Sequence, residues 1–333
     1  MNRTSDTEGY RPSKPNKSVN LHNKSKRLNV SQYMAFLQKD FKLNYWLYLM
    51  ILPAIAYYII FQYGPMYGTI IAFKDYSPAK GILGSEWVGL ANFRDFFSGL
   101  YFWRIFKNTV ILSMNTLIFE FPAPIILALL INELRNRTFK RWVQSITYMP
   151  YFISLIVICG LVKDFTNSGG LITQLIVWLG GADTSMLQNP AYFRPIYVVS
   201  EIWQRFGWES IIYIAALSSI DQEQYEAAKI DGAGRWRQML NITLPGILPT
   251  IMIMLILRLG NLFNLGFEKV ILLYNSSIYD TADIISSYVY RKGLIEFNWS
   301  FGAAVGIFNS ILNLGLLLAA NYISRRVSQN SLW

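Results

Sequence analysis

Residues 46–63, WLYLMILPAIAYYIIFQY, carry no charged side chain. An apolar run of about 20 residues is what a helix needs to cross the hydrocarbon of a bilayer. In that medium a spanning segment must satisfy its own backbone hydrogen bonds, which a helix does. Five further blocks of this kind follow at 109–131, 144–162, 195–220, 244–264 and 301–323. The pattern predicts an all-α membrane protein with six transmembrane helices. The first and last blocks are uncharged, whereas Glu201, Arg205 and Glu209 interrupt the fourth. A shorter apolar stretch, 171–179, lies between two glycine pairs and is expected to rest at the interface rather than cross.

Charged residues make up 15% of the chain, against about 25% in a soluble domain. The one cysteine, Cys159, rules out a disulfide framework and a zinc ribbon and reads as a buried small apolar residue. The one histidine, His22, sits in a polar tail and leaves no imidazole for a triad, a metal cage or a proton relay. No metal site is expected.

Lysine and arginine mark the cytoplasmic side of a multi-pass protein. They crowd into the tail before Lys42, into Arg135, Arg137, Lys140 and Arg141, into Lys229, Arg235 and Arg237, and into Arg325 and Arg326. Both termini are therefore expected in the cytoplasm, which demands an even number of spans. The net charge of +10 follows from this topology and points to anionic lipid, not to nucleic acid. Residues 1–40 read as a basic, disordered tail, and residues 41–333 as the membrane domain, with a cytoplasmic loop at 221–245. No cleavable signal peptide is visible, so the first span is expected to act as an uncleaved insertion signal.

The phosphate-cradling G-x-x-x-x-G-K-[ST] loop is absent, and no nucleophile or paired-carboxylate pattern stands out. Catalysis is not expected of this chain. Glu201, Arg205 and Glu209 are spaced to lie along one helix face. Facing lipid, the three would cost about 8–10 kcal/mol at the helix centre, so they must face protein or a cavity. Trp208 lies beside them, and a face both charged and aromatic suits a sugar ring. The other reading is a ladder of internal ion pairs. Arg258, Asn261 and Asn264, with Glu268 beyond, form a second polar stripe at helical spacing. Glu120, beside Pro122 and Pro124, marks a distorted segment and reads as a satisfied structural acid.

The most specific segment is DQEQYEAAKIDGAGRWRQMLNITLPGILP, residues 221–249. Asp221 with Gln224 predicts a capping box opening a short helix. Ala227 and Ala228 bare its surface, and Gly232 and Gly234 break it. A second short helix follows, and Leu244-Pro245 is expected to start the fifth span.

Glu226-Ala227-Ala228, Asp231-Gly232-Ala233 and Ile242 with Leu244-Pro245 resemble the coupling loop of binding-protein-dependent ABC importer permeases. Met239-Leu240 departs mildly from that pattern, where many relatives carry phenylalanine. Tyr63-Gly64-Pro65-Met66-Tyr67, Trp87-Val88-Gly89-Leu90-Ala91-Asn92-Phe93, Phe121-Pro122-Ala123-Pro124 and Ala320-Asn321-Tyr322 are similar to the carbohydrate-uptake branch, in the subgroup serving complex oligosaccharides such as oligouronides. The resemblance covers roughly residues 40–333. It implies the type I importer permease fold and a sugar substrate. It also implies a second, homologous permease, two ABC ATPase subunits holding ATP and Mg2+, and an extracellular solute-binding lipoprotein. Residence in the bacterial cytoplasmic membrane follows as well. The external link 64–103, with Trp87, Phe93 and Phe96, is the expected docking surface for the binding protein, and 280–297 a second one. An autonomous secondary transporter, or a membrane enzyme acting on lipid-linked sugars, is the alternative. The first predicts internal inverted symmetry, which is not evident by eye, and the second a clustered acidic or histidine site, which is absent.

Overall fold

The computed structural model of the chain describes residues 40–328. The tail read at 1–40 lies, Asp40 apart, outside the described residues. The chain divides into two units, residues 1–66 and 67–333. In the first, helix Tyr45–Tyr58 is apolar all round and none of its residues is buried, as suits a helix facing lipid.

Among the described residues, five stretches are long and apolar enough to cross a bilayer: Tyr45–Phe73, Phe102–Glu133, Leu155–Trp178, Arg235–Gly260 and Trp299–Tyr322. The fourth block forms helix Pro190–Ser218, whose 29 residues extend about 43 Å. Its charges keep it out of the apolar set.

Proline shapes these helices in one recurring way. The π turns Ile59–Tyr63, Thr116–Glu120 and Met239–Thr243 each end two residues before a proline, namely Pro65, Pro122 and Pro245. Proline offers no N–H, and its ring collides with the carbonyl four residues back. A turn widened so that each bond reaches five residues back removes the collision. Accordingly the residue just before each proline donates five back, as Phe121 does to the Thr116 carbonyl at 3.3 Å.

Two expectations need correction. The helix expected across 144–162 is broken. Arg137–Tyr148 passes into a 3-10 turn at Met149–Phe152, where Pro150 cannot donate to the ladder, and Leu155–Thr166 starts anew with the Ser154 hydroxyl as cap. After a turn at 167–170, Leu171–Trp178 is a separate helix of 8 residues, too short to cross alone. Finally, the second short helix and the fifth span are one continuous rod from Arg235 to Gly260, so Leu244-Pro245 lies inside a helix and the rod stops short of residue 264. Among the described residues the only sheet is a two-residue ladder in the 64–103 link, with Lys74 opposite Trp87 and Asp75 opposite Glu86.

The core centres on helix Pro190–Ser218. Phe193, Tyr197 and Val198 pack with Leu112, Val270, Leu273 and Cys159, the last buried as expected. Lower on the same helix, a Cβ on Gly207 would stand 1.9 Å from the Thr147 carbonyl oxygen. Helix Arg137–Tyr148 therefore meets it backbone to backbone. Lipid is as apolar as leucine, so membrane helices associate through such close packing rather than through exclusion of water.

Candidate functional site

Helix Gln222–Ile230 is capped at its start by Asp221, whose carboxylate accepts from the Glu223 N–H at 3.0 Å; the expected box with Gln224 is not formed. Its end is a Schellman motif. The Ala233 N–H donates to the Ala228 carbonyl at 2.8 Å and the Gly232 N–H to the Lys229 carbonyl at 3.1 Å. That closure needs a left-handed residue, and Gly232 supplies it with φ +73°. The Gln238 amide then donates to the Ala233 carbonyl at 2.7 Å, and the Tyr225 hydroxyl meets the buried Thr243 hydroxyl at 2.9 Å. A rigid hairpin results, pinned to the rod that follows it. Glu226, Ala227, Asp231 and Gly232 lie on its exposed surface, Ala228 and Ala233 are half-buried, and Ile230 is 86% exposed. Leu244 is half-buried and Pro245 exposed on the rod.

At the far end of that rod is a polar cavity of about 200 Å³, lined by Thr116, Glu120, Tyr197, Glu201, Arg205 and Arg258 among others. The charges that line it balance, two acids against two bases, with Lys269 and Glu209 paired to them from outside the lining. Arg205 Nε pairs with Glu201 Oε2 at 2.9 Å, and Lys269 Nζ with Glu201 Oε1 at 3.1 Å. Arg258 Nη2 pairs with Glu120 Oε2 at 2.5 Å. Arg205 Nη1 reaches Glu209 Oε1 only at 3.8 Å, with Arg205 45% exposed. The ion-pair ladder expected of the span-four stripe is thus present. Glu201 belongs to a buried ion-pair ladder, whereas Arg205 holds its outer partner weakly and borders the cavity.

Three groups here were not picked out as site residues in the sequence. Glu120, expected as a structural acid, is one through its pair with Arg258, and it also lines the cavity, its Oε1 buried with no hydrogen-bond partner among the described residues. Tyr197 carried no polar signal. Lys269, 1% exposed and 5.4 Å from the Tyr197 ring, was hidden by its neighbour. Glu268 continues the expected stripe only if one helix runs on past residue 260. The helix stops at Gly260, and Phe267–Leu273 restarts in a different phase, so Lys269 turns inward and Glu268 outward. Between them Asn261 and Asn264 border the cavity. Asn264 Oδ1 accepts from Asn309 at 2.9 Å and Asn313 at 3.1 Å, which ties the turn to the last span. Trp208 lies outside the cavity. Its ring stacks on Tyr151 at 5.0 Å and 8° and meets Phe152 edge-on, so the expected sugar platform is partnered within the chain.

On the expected docking link, Trp87 is exposed and stacked on Phe73, and Phe93 is half-buried against the same ring. Phe96 does not fit. It is 2% exposed and packs with Phe301 and Ile105, because its helix Ala91–Ser98 turns that side inward. Leu83, Leu90, Leu100 and Trp103 are among the exposed apolar groups there. The 280–297 segment is also largely core. Asp283, fully buried, accepts from Arg291 at 2.7 Å and Ser287 at 2.9 Å, and its carbonyl accepts from Asn108 at 3.0 Å.

Residues 120–329 match the family of binding-protein-dependent transport system inner membrane components. The chain belongs to this family. It is a membrane-embedded permease and not an enzyme, and the matched region holds the hairpin and every residue lining the cavity except Thr116. The permease is 46% identical over 302 residues to Protein LplB of Bacillus subtilis (strain 168), covering 90% of this chain and 94% of that protein. It is 45% identical over 289 residues to the polygalacturonan/rhamnogalacturonan transport system permease protein YteP of the same organism, covering 86% and 90%. A crystal structure of a bacterial alginate ABC transporter, in complex with alginate pentasaccharide-bound periplasmic protein, contains a chain 42% identical to the permease. The two superpose with a TM-score of 0.82 over 89% of this chain and 99% of that one.

Proposed function

We propose that this permease is one half of the channel of an ATP-driven importer and passes an acidic oligosaccharide, an oligouronide, into the cytoplasm. It crosses the membrane six times, with Pro190–Ser218 as the charged crossing and both termini cytoplasmic. A homologous permease completes the channel, and a solute-binding lipoprotein delivers the sugar from outside. Of two ATPase subunits, which hold ATP and Mg2+, one grips the hairpin at Glu226–Ala233 and the other the corresponding part of the partner permease.

One observation carries this reading: the rod Arg235–Gly260 joins the exposed hairpin to the cavity without interruption. Its 26 residues extend about 39 Å. A motion imposed at Gly232 is therefore delivered at Arg258, whose partner Glu120 sits on a different span. In the cavity Arg205 is the group best placed to take a sugar carboxylate. Its contact to Glu209 at 3.8 Å is worth little, while Glu201 still orients the guanidinium. Glu120 Oε1 offers an acceptor for a hydroxyl. The acidic polysaccharides in the names of YteP and of the alginate transporter support the choice of substrate class.

The test is ATP hydrolysis by the reconstituted complex with its binding protein, offered oligogalacturonate, oligoalginate and neutral malto-oligosaccharide. Stimulation by an oligouronide and not by the neutral sugar is expected. Stimulation by the neutral sugar alone would overturn the substrate assignment.

A further inference from the structure

Where the hairpin passes into the rod, an open cavity of about 430 Å³ separates helix Pro122–Glu133 from the first turns of Arg235–Gly260. Ile126 and Leu130 form one wall and Trp236 and Met239 the other, with Glu133 and Arg235 at the mouth. Two apolar stretches, Phe102–Glu133 and Arg235–Gly260, end at this level, so the mouth falls at the membrane–water boundary. From Glu133 to Ile126 the wall descends about 10 Å, the depth at which acyl chains begin. Trp236, 75% exposed, occupies the interfacial position that indoles favour.

The mouth is polar in a particular sense. Arg235 Nη1 lies 3.9 Å from Glu133 Oε2, both side chains being largely exposed, and such a pair contributes little. The rest of that guanidinium meets no acceptor among the described residues. Arg135, Arg137 and Arg237 flank these two residues in the sequence, so the chain on either side of the mouth is basic. An apolar slot whose mouth carries the loosely held Arg235 guanidinium, between basic flanking segments, complements an amphiphile with an anionic head. Basic pockets between spans on the cytoplasmic side hold phospholipid head groups by this means.

We propose that this cavity binds one anionic phospholipid, its phosphate on Arg235 and an acyl chain along Ile126, Leu130, Trp236 and Met239. Met239 opens the π turn near the start of the rod, so the bound lipid braces the lever at its root. The anionic lipid content of the membrane then sets how firmly hairpin motion is transmitted. This inference does not depend on the identity of the sugar.

The experiment uses the complete importer in vesicles of phosphatidylcholine containing tail-brominated phosphatidylglycerol or, in parallel, tail-brominated phosphatidylcholine. Because the chain has 10 tryptophans, the Trp236 signal is taken as the difference between wild type and Trp236→Phe. Brominated phosphatidylglycerol is expected to quench that signal at about fivefold lower mole fraction than brominated phosphatidylcholine, the preference one arginine confers near a surface. Arg235→Gln should remove the preference and Arg235→Lys retain most of it. Equal quenching by the two lipids in wild type would reduce the site to ordinary annular contact. Quenching by neither would mean that protein covers the cavity. Either result overturns the proposal, and the wild-type comparison stands even if a variant fails to assemble.

Discussion

Replacing Gly232 by valine is expected to abolish sugar-stimulated ATP hydrolysis and uptake in the reconstituted complex, while membrane insertion is unchanged. The cause is local. Gly232 has φ +73°, and open space surrounds the position of its missing Cβ, so the obstacle is conformational and not steric crowding from neighbours. A side chain in the left-handed region costs about 1–2 kcal/mol, a factor of roughly 5–30 in the population of the closed turn. A β-branched residue is worse still. Loss of the turn frees the Ala233 and Gly232 N–H groups from the Ala228 and Lys229 carbonyls, and the exposed helix Gln222–Ile230 loses its fixed angle to the rod. Gly232→Asn should recover part of the activity, because asparagine tolerates this conformation. Wild-type coupling in Gly232→Val would show that the rigidity of the turn is irrelevant.

The second large effect is expected at Glu201. It is the shared partner of Lys269 and Arg205, and Lys269 is 1% exposed. Glu201→Leu leaves that ammonium buried without a counter-charge, which costs about 3–5 kcal/mol. A sharp fall in the thermal stability of the purified permease is the expected result. Adding Lys269→Met should restore most of it, since a buried pair replaced on both sides by apolar groups is often neutral. If the double variant folds but does not transport, the pair serves the pathway as well as the scaffold. If Glu201→Leu alone is as stable as wild type, the buried pairing is not what holds Phe267–Leu273 against Pro190–Ser218.

The membrane character and the helical hairpin at 222–233 were legible in the sequence for related reasons. Uncharged runs report on bilayer thickness, and Asp231-Gly232-Ala233 reports on a backbone conformation that only a few residues can adopt. Both are local facts. What the sequence did not disclose depends on phase and on partners. The stripe from Arg258 to Glu268 assumed a helix that ends at Gly260, and that single break exchanged Glu268 for Lys269 as the inward group. Glu120 was noticed for the prolines beside it, yet its role comes from Arg258, more than a hundred residues away. Phe96 looked like surface because it lies in a long link, and it is core because helix Ala91–Ser98 packs against the last span. Trp208 kept its aromatic face but spends it on Tyr151.

The central claim is that the Glu226–Ala233 hairpin is the part of this permease on which a separate nucleotide-driven subunit acts. It is tested most directly by cross-linking. A single cysteine introduced as Ala227→Cys, in a Cys159→Ala background, is treated with a short bifunctional reagent in the assembled, active importer. A covalent product containing the ATPase subunit, formed in high yield and changed by ATP, is the expected result. A reactive cysteine that yields no such product in a complex still transporting sugar would contradict the claim.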